Sequence, residues 1–339
     1  MIIVMRPDAT KEEVKHVVKK VEEVGLKAVL LEGTERKVVA VIGDERKISY
    51  DMWNVTPGVE KAVPILAPYK MASRELKNTP TAVPLDKGRA TIGGKKIGVI
   101  AGPCAVENKK QLISIAKKVK EAGAVALRGG AYKPRTNPYS FQGLREEGLE
   151  YLAEAREATG LPVVTEVLSP EQVVLVCKYA DILQIGTRNM ANFLLLKAVG
   201  ECKKPVILKR GMAATLEEFL LAAEYILTHG NPNVILCERG IRTFEDHTRF
   251  TLSLSVVPRL KELTHLPIIV DPSHGTGKRS LVNPMSKGAI AVGADGLLIE
   301  THSNPEKSMV DGPQTISLEE FERLMKELKP IAEAVGREM

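Results

Sequence analysis

The sequence predicts an α/β protein: a (β/α)8 TIM barrel preceded by a small α+β ferredoxin-like domain of order βαββαβ. Three observations carry this reading. From Ile97 onward, short apolar runs alternate with segments of helical period eight times over about 240 residues, the pattern of a parallel sheet closed on itself. Residues 1–67 instead order their patterns as strand, helix, strand, strand, helix, strand. No glycine-rich dinucleotide fingerprint follows the first run of the larger part, which argues against an open doubly wound sheet. The expected organisation is a ferredoxin-like regulatory domain over 1–67, a linker over 68–89 and a barrel over 90–339.

In the small domain Ile2 to Met5 reads as a strand. Thr10 caps a helix running to Val24, with Val14, Val17, Val18 and Val21 on one face. Lys27 to Leu31 and Lys37 to Ile42 are strands across the turn Glu32-Gly33-Thr34-Glu35. A short helix from Ile48 to Trp53 stops before Pro57-Gly58, and Glu60 to Leu66 is the last strand. The strands Ile2 to Met5 and Lys37 to Ile42 carry no paired aromatics, so RNA binding is disfavoured and a regulatory or assembly role preferred. Pro80 and Pro84 break up the linker, and Ala90 to Lys96 reads as a hairpin through Gly93-Gly94 that closes the bottom of the barrel.

The eight barrel runs are Ile97–Ala101, Ala124–Leu127, Pro162–Thr165, Ile182–Ile185, Val206–Leu208, Val234–Cys237, Ile268–Val270 and Gly296–Ile299. Between them apolar residues recur at helical spacing, as in Leu112, Ile115, Ala116 and Val119, or Leu318, Phe321, Leu324 and Leu328.

The chain has 339 residues, 44% of them hydrophobic and 27% charged, the balance of an ordinary soluble globular protein. No apolar run approaches the roughly 18 residues of a membrane span, and the opening MIIVMRPDAT has no signal-peptide pattern, so a cytoplasmic location is expected. The net charge is +6, but lysines alternate with acids on the helices (Lys117 to Glu121, Glu320 to Lys329). That mixing argues against nucleic acid as a partner and for small anionic ligands. The four cysteines, Cys104, Cys177, Cys202 and Cys237, form no CxxC pair. A disulfide framework is not expected, and Cys177 in VVLVCKYA reads as a small core hydrophobe.

The chemistry gathers on Leu127 to Leu144, LRGGAYKPRTNPYSFQGL, where Arg128, Lys133 and Arg135 sit on a loop stiffened by prolines. Arg offers a planar fork for carboxylate or phosphate and Lys a compact point charge. The active site of a barrel lies at the C-terminal ends of its strands. The residues just past each run are Cys104, Arg128, Glu166, Arg188 after Gly186-Thr187, Lys209 with Arg210, Glu238 with Arg239, Asp271 with His274, and Glu300. Arg128, Lys133, Arg135, Arg188, Lys209 and Arg239 outnumber what one phosphate needs, so two or three anionic groups are expected. Cys104, His274, Glu300 and Asp311 combine thiolate, imidazole and carboxylates, a donor set for one divalent ion such as Mn, Fe, Co or Zn.

AGPCAVE (101–107), the KPRT loop, QIGTRN (184–189), LKRG (208–211), ILCERGIRTF (235–244), DPSHGTG (271–277) and DGLLIE resemble 3-deoxy-D-arabino-heptulosonate 7-phosphate (DAHP) synthases, in particular the branch with an N-terminal ferredoxin-like regulatory domain. Asn137 stands where that family usually has Ser, a small polar exchange with little expected effect on substrate. The resemblance implies condensation of phosphoenolpyruvate with erythrose 4-phosphate and water to give DAHP plus phosphate, the first step of the shikimate pathway. It further implies that Arg188, Arg239 and the amide of Thr187 hold the phosphoenolpyruvate phosphate. Arg128, Lys133 and Lys209 would hold its carboxylate, with Lys133 near the reacting centre, and Arg135 and Thr136 the aldose phosphate. Metal on Cys104, His274, Glu300 and Asp311 would polarise the aldehyde, and Glu166 would orient the water. Two alternatives stay open: a 3-deoxy-D-manno-octulosonate 8-phosphate synthase using arabinose 5-phosphate, and a non-catalytic metabolite sensor. Feedback inhibition by an aromatic amino acid at the N-terminal domain and a homo-oligomer, a tetramer, are expected from the same resemblance. A disulfide between Cys104 and Cys237 under oxidation is left open.

Overall fold

The computed structural model describes residues 1–32, 36–45, 49, 51–64, 67–86 and 90–339. They form two compact units, Met1–Pro68 and Tyr69–Met339.

In the first unit β1 (Ile2–Met5), α1 (Lys11–Glu23), β2 (Lys27–Glu32), β3 (Lys37–Ile42), α2 (Asp51–Asn54) and β4 (Val59–Val63) follow in chain order. The antiparallel sheet runs β2-β3-β1-β4. Thr10 and Glu13 close a reciprocal capping box at the start of α1, satisfying two amides that helix geometry leaves open. Val14, Val17 and Val21 of that helix then pack on Ile3, Met5, Val39 and Trp53. The turn expected at 33–35 and the start of the helix expected at Ile48 lie outside the described residues, as do Ile65 and Leu66 of the expected last strand.

The second unit begins with β5 (Val83–Pro84), β6 (Thr91–Ile92), β7 (Gly98–Gly102) and α3 (Lys109–Glu121), then β8 (Ala126–Arg128), α4 (Glu146–Thr159), β9 (Val163–Glu166) and α5 (Val173–Tyr179). It continues through β10 (Ile182–Ile185), α6 (Phe193–Glu201), β11 (Val206–Lys209), α7 (Leu216–Thr228), β12 (Val234–Glu238) and α8 (Val256–Leu263). Last come β13 (Ile268–Val270), α9 (Pro272–Thr276), α10 (Arg279–Ala291), β14 (Gly296–His302), β15 (Ile316–Ser317) and α11 (Leu318–Ala334). Strands β7 to β14 pair in parallel with their neighbours, and β14 pairs back onto β7 in register Leu298↔Ile100, so the sheet closes. Every expected run is a strand. The observed strands reach one to three residues further in several cases, because the charged residue at the rim still belongs to the ladder.

Ile100, Ala126, Val164, Ile182, Ile207, Ile235, Ile269 and Leu298 put one side chain from each strand into the barrel interior. Truncating one of the isoleucines to alanine costs about 2–5 kcal/mol by the usual transfer-plus-cavity rule. Val83, Leu85 and Ile92 join that cluster and close its lower end. The closing pair differs from the expected hairpin. Val83 pairs antiparallel with Ile92 and Pro84 with Thr91, while Gly93, at φ 98°, is pressed against the Thr81 carbonyl. A side chain there would clash with backbone, so this glycine serves close approach and not a turn tip.

The stretch expected as a linker is tied to the barrel along much of its length. Glu224 of α7 accepts the amides of Lys70, Met71 and Ala72 at 2.9, 2.7 and 2.8 Å. His265 binds Thr81 Oγ1 through Nδ1 at 2.8 Å and the Met71 carbonyl through Nε2 at 2.8 Å.

The cysteines depart from expectation in one respect. Cys177 on α5 is disulfide-bonded to Cys202, which caps the end of α6, and is therefore a covalent tie between neighbouring helices instead of a core filler. Cys104 and Cys237 are free and buried, Cys237 inside the barrel cluster and Cys104 against Ala105 and Val310 at the rim. They belong to different packing clusters and form no bond.

Among the described residues no helix is long and apolar enough to cross a membrane.

Candidate active site

The upper mouth of the barrel holds a cleft of about 270 Å³ lined by the cations and acids that end the strands. Arg128, Lys133, Arg135, Thr136, Glu166, Thr187, Arg188, Lys209, Arg239, His274 and Asp311 all face it. Cys104 and Glu300 lie in its wall through their contacts with Lys133, Arg128 and His274.

Local backbone needs place these groups. At Gly102 a side chain would strike the Arg128 carbonyl, so only glycine lets β7 turn tightly enough to deliver Cys104. Asp271 caps α9, its Oδ1 accepting the His274 amide at 2.9 Å, and Pro272 occupies the first helical position. His274 is thereby held with its ring over the mouth. A side chain at Gly186 would run into the Glu166 carboxylate. Asp311 takes a left-handed backbone, φ 55°, which aspartate tolerates better than most residues.

Cys104, His274, Glu300 and Asp311 each offer one donor atom, and these atoms lie within 4.8 Å of one another. The hydrogen-bonding pattern fits a cation between them. His274 Nδ1 donates to Asp271 Oδ2 at 2.7 Å, which leaves Nε2 as a bare lone pair. That lone pair faces Glu300 Oε1 at 3.2 Å and Asp311 Oδ2 at 3.9 Å, both acceptors. Glu300 Oε1 is buried and makes no hydrogen bond among the described residues, although Arg128 Nη1 stands 3.0 Å away. A bare imidazole nitrogen and two carboxylates turned toward one point are an acceptor cluster that a bound divalent ion satisfies. Without an ion, the Cys104 thiol donates to Asp311 Oδ2 at 3.2 Å.

The electrostatics agree. Burial and then Glu300 push the Cys104 thiol well above its ordinary range, so only a strong positive neighbour would hold it ionised. Burial works against ionisation of Asp311, yet His274, the Cys104 thiol and Arg249 bring it down to about 2. Burial raises the Glu166 carboxyl even with Lys133 and Lys209 nearby. Lys133 is desolvated, but Cys104 and Glu166 more than offset that and keep its ammonium.

The substrate-side cations fall into groups. Arg128 pairs with Glu300 at 3.0 Å, and Lys209 Nζ with Asp271 Oδ2 at 2.5 Å. Lys133 Nζ donates to Cys104 Sγ and to the Cys104 carbonyl, each at 3.1 Å. On the opposite side Arg188 Nη2 donates to Thr136 Oγ1 at 3.1 Å, which brings the QIGTRN and KPRT segments together.

Three participants were not singled out from the sequence. Gln314 donates to Glu300 Oε2 at 2.5 Å, and Arg249 Nη1 donates to Gln314 Oε1 at 3.1 Å and Asp311 Oδ1 at 3.4 Å. Phe250 lines the same cleft. Gln314 lies three residues past Asp311 and is within reach of the sequence, but Arg249 and Phe250 sit deep in the loop after β12, without a period and more than ten residues beyond the strand end.

Residues 79–335 match the profile described as the DAHP synthetase I family, and residues 1–67 that of the DAHP synthase ferredoxin-like domain. The chain belongs to the DAHP synthetase I family. Among curated relatives, a phospho-2-dehydro-3-deoxyheptonate aldolase of Thermotoga maritima is 50% identical over 336 residues, 99% of each chain. A 2-dehydro-3-deoxyphosphooctonate aldolase of Citrifermentans bemidjiense is 31% identical over 73% of this chain and 98% of its own. The crystal structure of the Thermotoga maritima DAHP synthase superposes with a TM-score of 0.95 at 49% identity, covering 99% of this chain and 98% of that one. A truncated form from the same organism covers 80% of this chain and 98% of its own, with a TM-score of 0.75. The barrel with a preceding ferredoxin-like domain is thus the architecture this chain shares with a solved relative.

Proposed function

We propose that the protein condenses phosphoenolpyruvate with erythrose 4-phosphate and water to give DAHP and inorganic phosphate. The observation that carries this reading is the convergence of four metal-type donors, within 4.8 Å of one another, beside Arg128, Lys133 and Lys209 in one cleft. Arg128, Lys133 and Lys209 hold the carboxylate of phosphoenolpyruvate. Arg188, Arg239 and the Thr187 amide hold its phosphate, and Arg135 with Thr136 the phosphate of the aldose.

Cys104, His274, Glu300 and Asp311 hold one divalent ion, of Mn, Fe, Co or Zn type, which when bound supplies Lewis-acid polarisation of the aldehyde. The chain's residues then act on the substrates. The cations fix the enol carbon of phosphoenolpyruvate against the aldehyde carbon, where the new carbon–carbon bond forms. Lys133 Nζ, which stands 3.1 Å from Cys104 Sγ beside the four metal-type donors, gives a proton to the aldehyde oxygen. Glu166 orients the water that adds to the adjoining carbon, the proton this water gives up restores the Lys133 ammonium, and loss of inorganic phosphate breaks the carbon–oxygen bond of the resulting hemiketal phosphate.

The test is release of inorganic phosphate from the two substrates with Mn²⁺ present. No release overturns the reading, and preferential turnover of arabinose 5-phosphate assigns the chain to the activity named for its 31% identical relatives. As a finer reading, the ferredoxin-like domain binds an aromatic amino acid that inhibits turnover, in a homotetramer. Its support is the separate compact unit Met1–Pro68, which matches the DAHP synthase ferredoxin-like domain apart from the barrel.

A further inference from the structure

The buried cations of the barrel mouth are not treated alike. Arg128, Lys209 and Arg210 each lie against a carboxylate, of Glu300, Asp271 and Glu238 respectively. Arg239 is just as buried, at 4% exposure, yet no carboxylate of the described residues stands within ion-pair distance of it. Its Nε and Nη1 have no hydrogen-bond partner among the described residues. What it does have is a ring: its Cζ lies 4.0 Å from the centroid of Phe250.

That ring is firmly placed. Phe250 is itself buried, and its Cβ would be only 2.8 Å from a side chain at Gly240, the residue next to Arg239. Ile241 and Thr251 exchange backbone hydrogen bonds at 3.1 and 2.9 Å, and the Arg249 amide donates to the Thr276 carbonyl at 2.9 Å. The loop between β12 and α8 is therefore tied on both sides of the ring.

A carboxylate would also have oriented Arg239, but it would have neutralised it and occupied its nitrogens. An aromatic face attracts a guanidinium while leaving its net charge and its in-plane N–H groups available. We propose that Phe250 is a positioning residue for Arg239, holding the guanidinium by its face so that the uncompensated charge and free donors meet the phosphate of phosphoenolpyruvate. The inference rests on the reading above that Arg239 binds that phosphate.

The test compares F250L, F250M, F250Y and R239A as metal-loaded full-length enzyme. KM for phosphoenolpyruvate and kcat are read from phosphate release, and phosphoenolpyruvate affinity without aldose by calorimetry. F250L and F250M remove the ring face and should raise KM and the calorimetric Kd about tenfold, with kcat within about twofold. F250Y keeps the face and should keep both constants. R239A should raise KM further than either. An unchanged KM in R239A overturns the phosphate reading and this proposal with it. Impaired R239A beside unchanged F250L and F250M overturns the role of Phe250 alone. That role also falls if F250Y is as impaired as F250L, or if neither ring-free variant folds, since the ring would then serve packing only.

Discussion

At the scale of single residues, Asp271 carries more of the site than any residue that faces the cleft. Its Oδ1 caps α9, while its Oδ2 accepts from both His274 Nδ1 and Lys209 Nζ. Replacing Asp271 with Asn keeps the cap but removes the charge, so metal affinity should fall about 10–100-fold. KM for phosphoenolpyruvate should rise in the same variant as Lys209 loses its anchor. A metal titration against a chelator, paired with initial rates, checks both. A second expectation concerns Cys104, whose thiol is pushed up by burial and then by Glu300. Metal must displace that proton, so affinity should rise with pH, roughly tenfold per unit wherever one proton is released. Proton release on adding Mn²⁺ to a weakly buffered sample reads the stoichiometry directly; no release would mean that Cys104 is not a ligand.

At the scale of elements, two ties hold segments against the barrel. The first is His265, whose Nε2 donates to the Met71 carbonyl and whose Nδ1 accepts from the Thr81 hydroxyl. Burial lowers its pKa. The unfolded chain therefore binds the proton more readily, and the stability this neutral ring contributes is present above about pH 6.5. It is lost as pH falls below that value towards the folded pKa. Protection factors of the amides of 70–81, which correct for the intrinsic slowing of exchange in acid, should fall over that range, and H265A should abolish the acid-side change. The second tie is Cys177–Cys202, which closes a loop of 25 residues in sequence. A crosslink of that span contributes about 3 kcal/mol in the chain-entropy picture. Reductant or C177S should lower the thermal midpoint by several degrees and leave kcat unchanged, because neither cysteine lies in the cleft.

At the scale of the whole molecule, the unit Tyr69–Met339 holds the eight barrel strands and, among the described residues, the groups named above as lining the cleft. Under the regulation proposed above, removing residues 1–67 should preserve turnover and abolish inhibition by an aromatic amino acid; inhibition that survives the deletion, or none in the full chain, overturns that proposal. Much of this architecture is legible in the sequence for a physical reason. Strands of a parallel sheet are covered on both faces, so Ile182–Ile185 or Ile268–Val270 must be wholly buried and largely apolar. Chemistry is confined to the strand ends, so reading the next residue finds Arg128, Glu166 and Lys209. The antiparallel pair Val83–Ile92 is hidden, since Gly93-Gly94 marks a turn as readily as a close approach. The Cys177–Cys202 bond has no signature, because two adjacent helices and not a motif bring the thiols together. Arg249 and Phe250 are silent for the same reason: their importance lies in what the loop touches.

The shared oxygen of Asp271 has a consequence for how the protein fills. Were an ion held at His274 Nε2, the Nδ1 proton would become a stronger donor to Asp271 Oδ2, and that oxygen would hold Lys209 Nζ less tightly. Lys209 is then freer to meet a substrate carboxylate, so loading one ligand should favour the other. Thermodynamic reciprocity requires the two enhancements to be the same factor, measured in either order of addition.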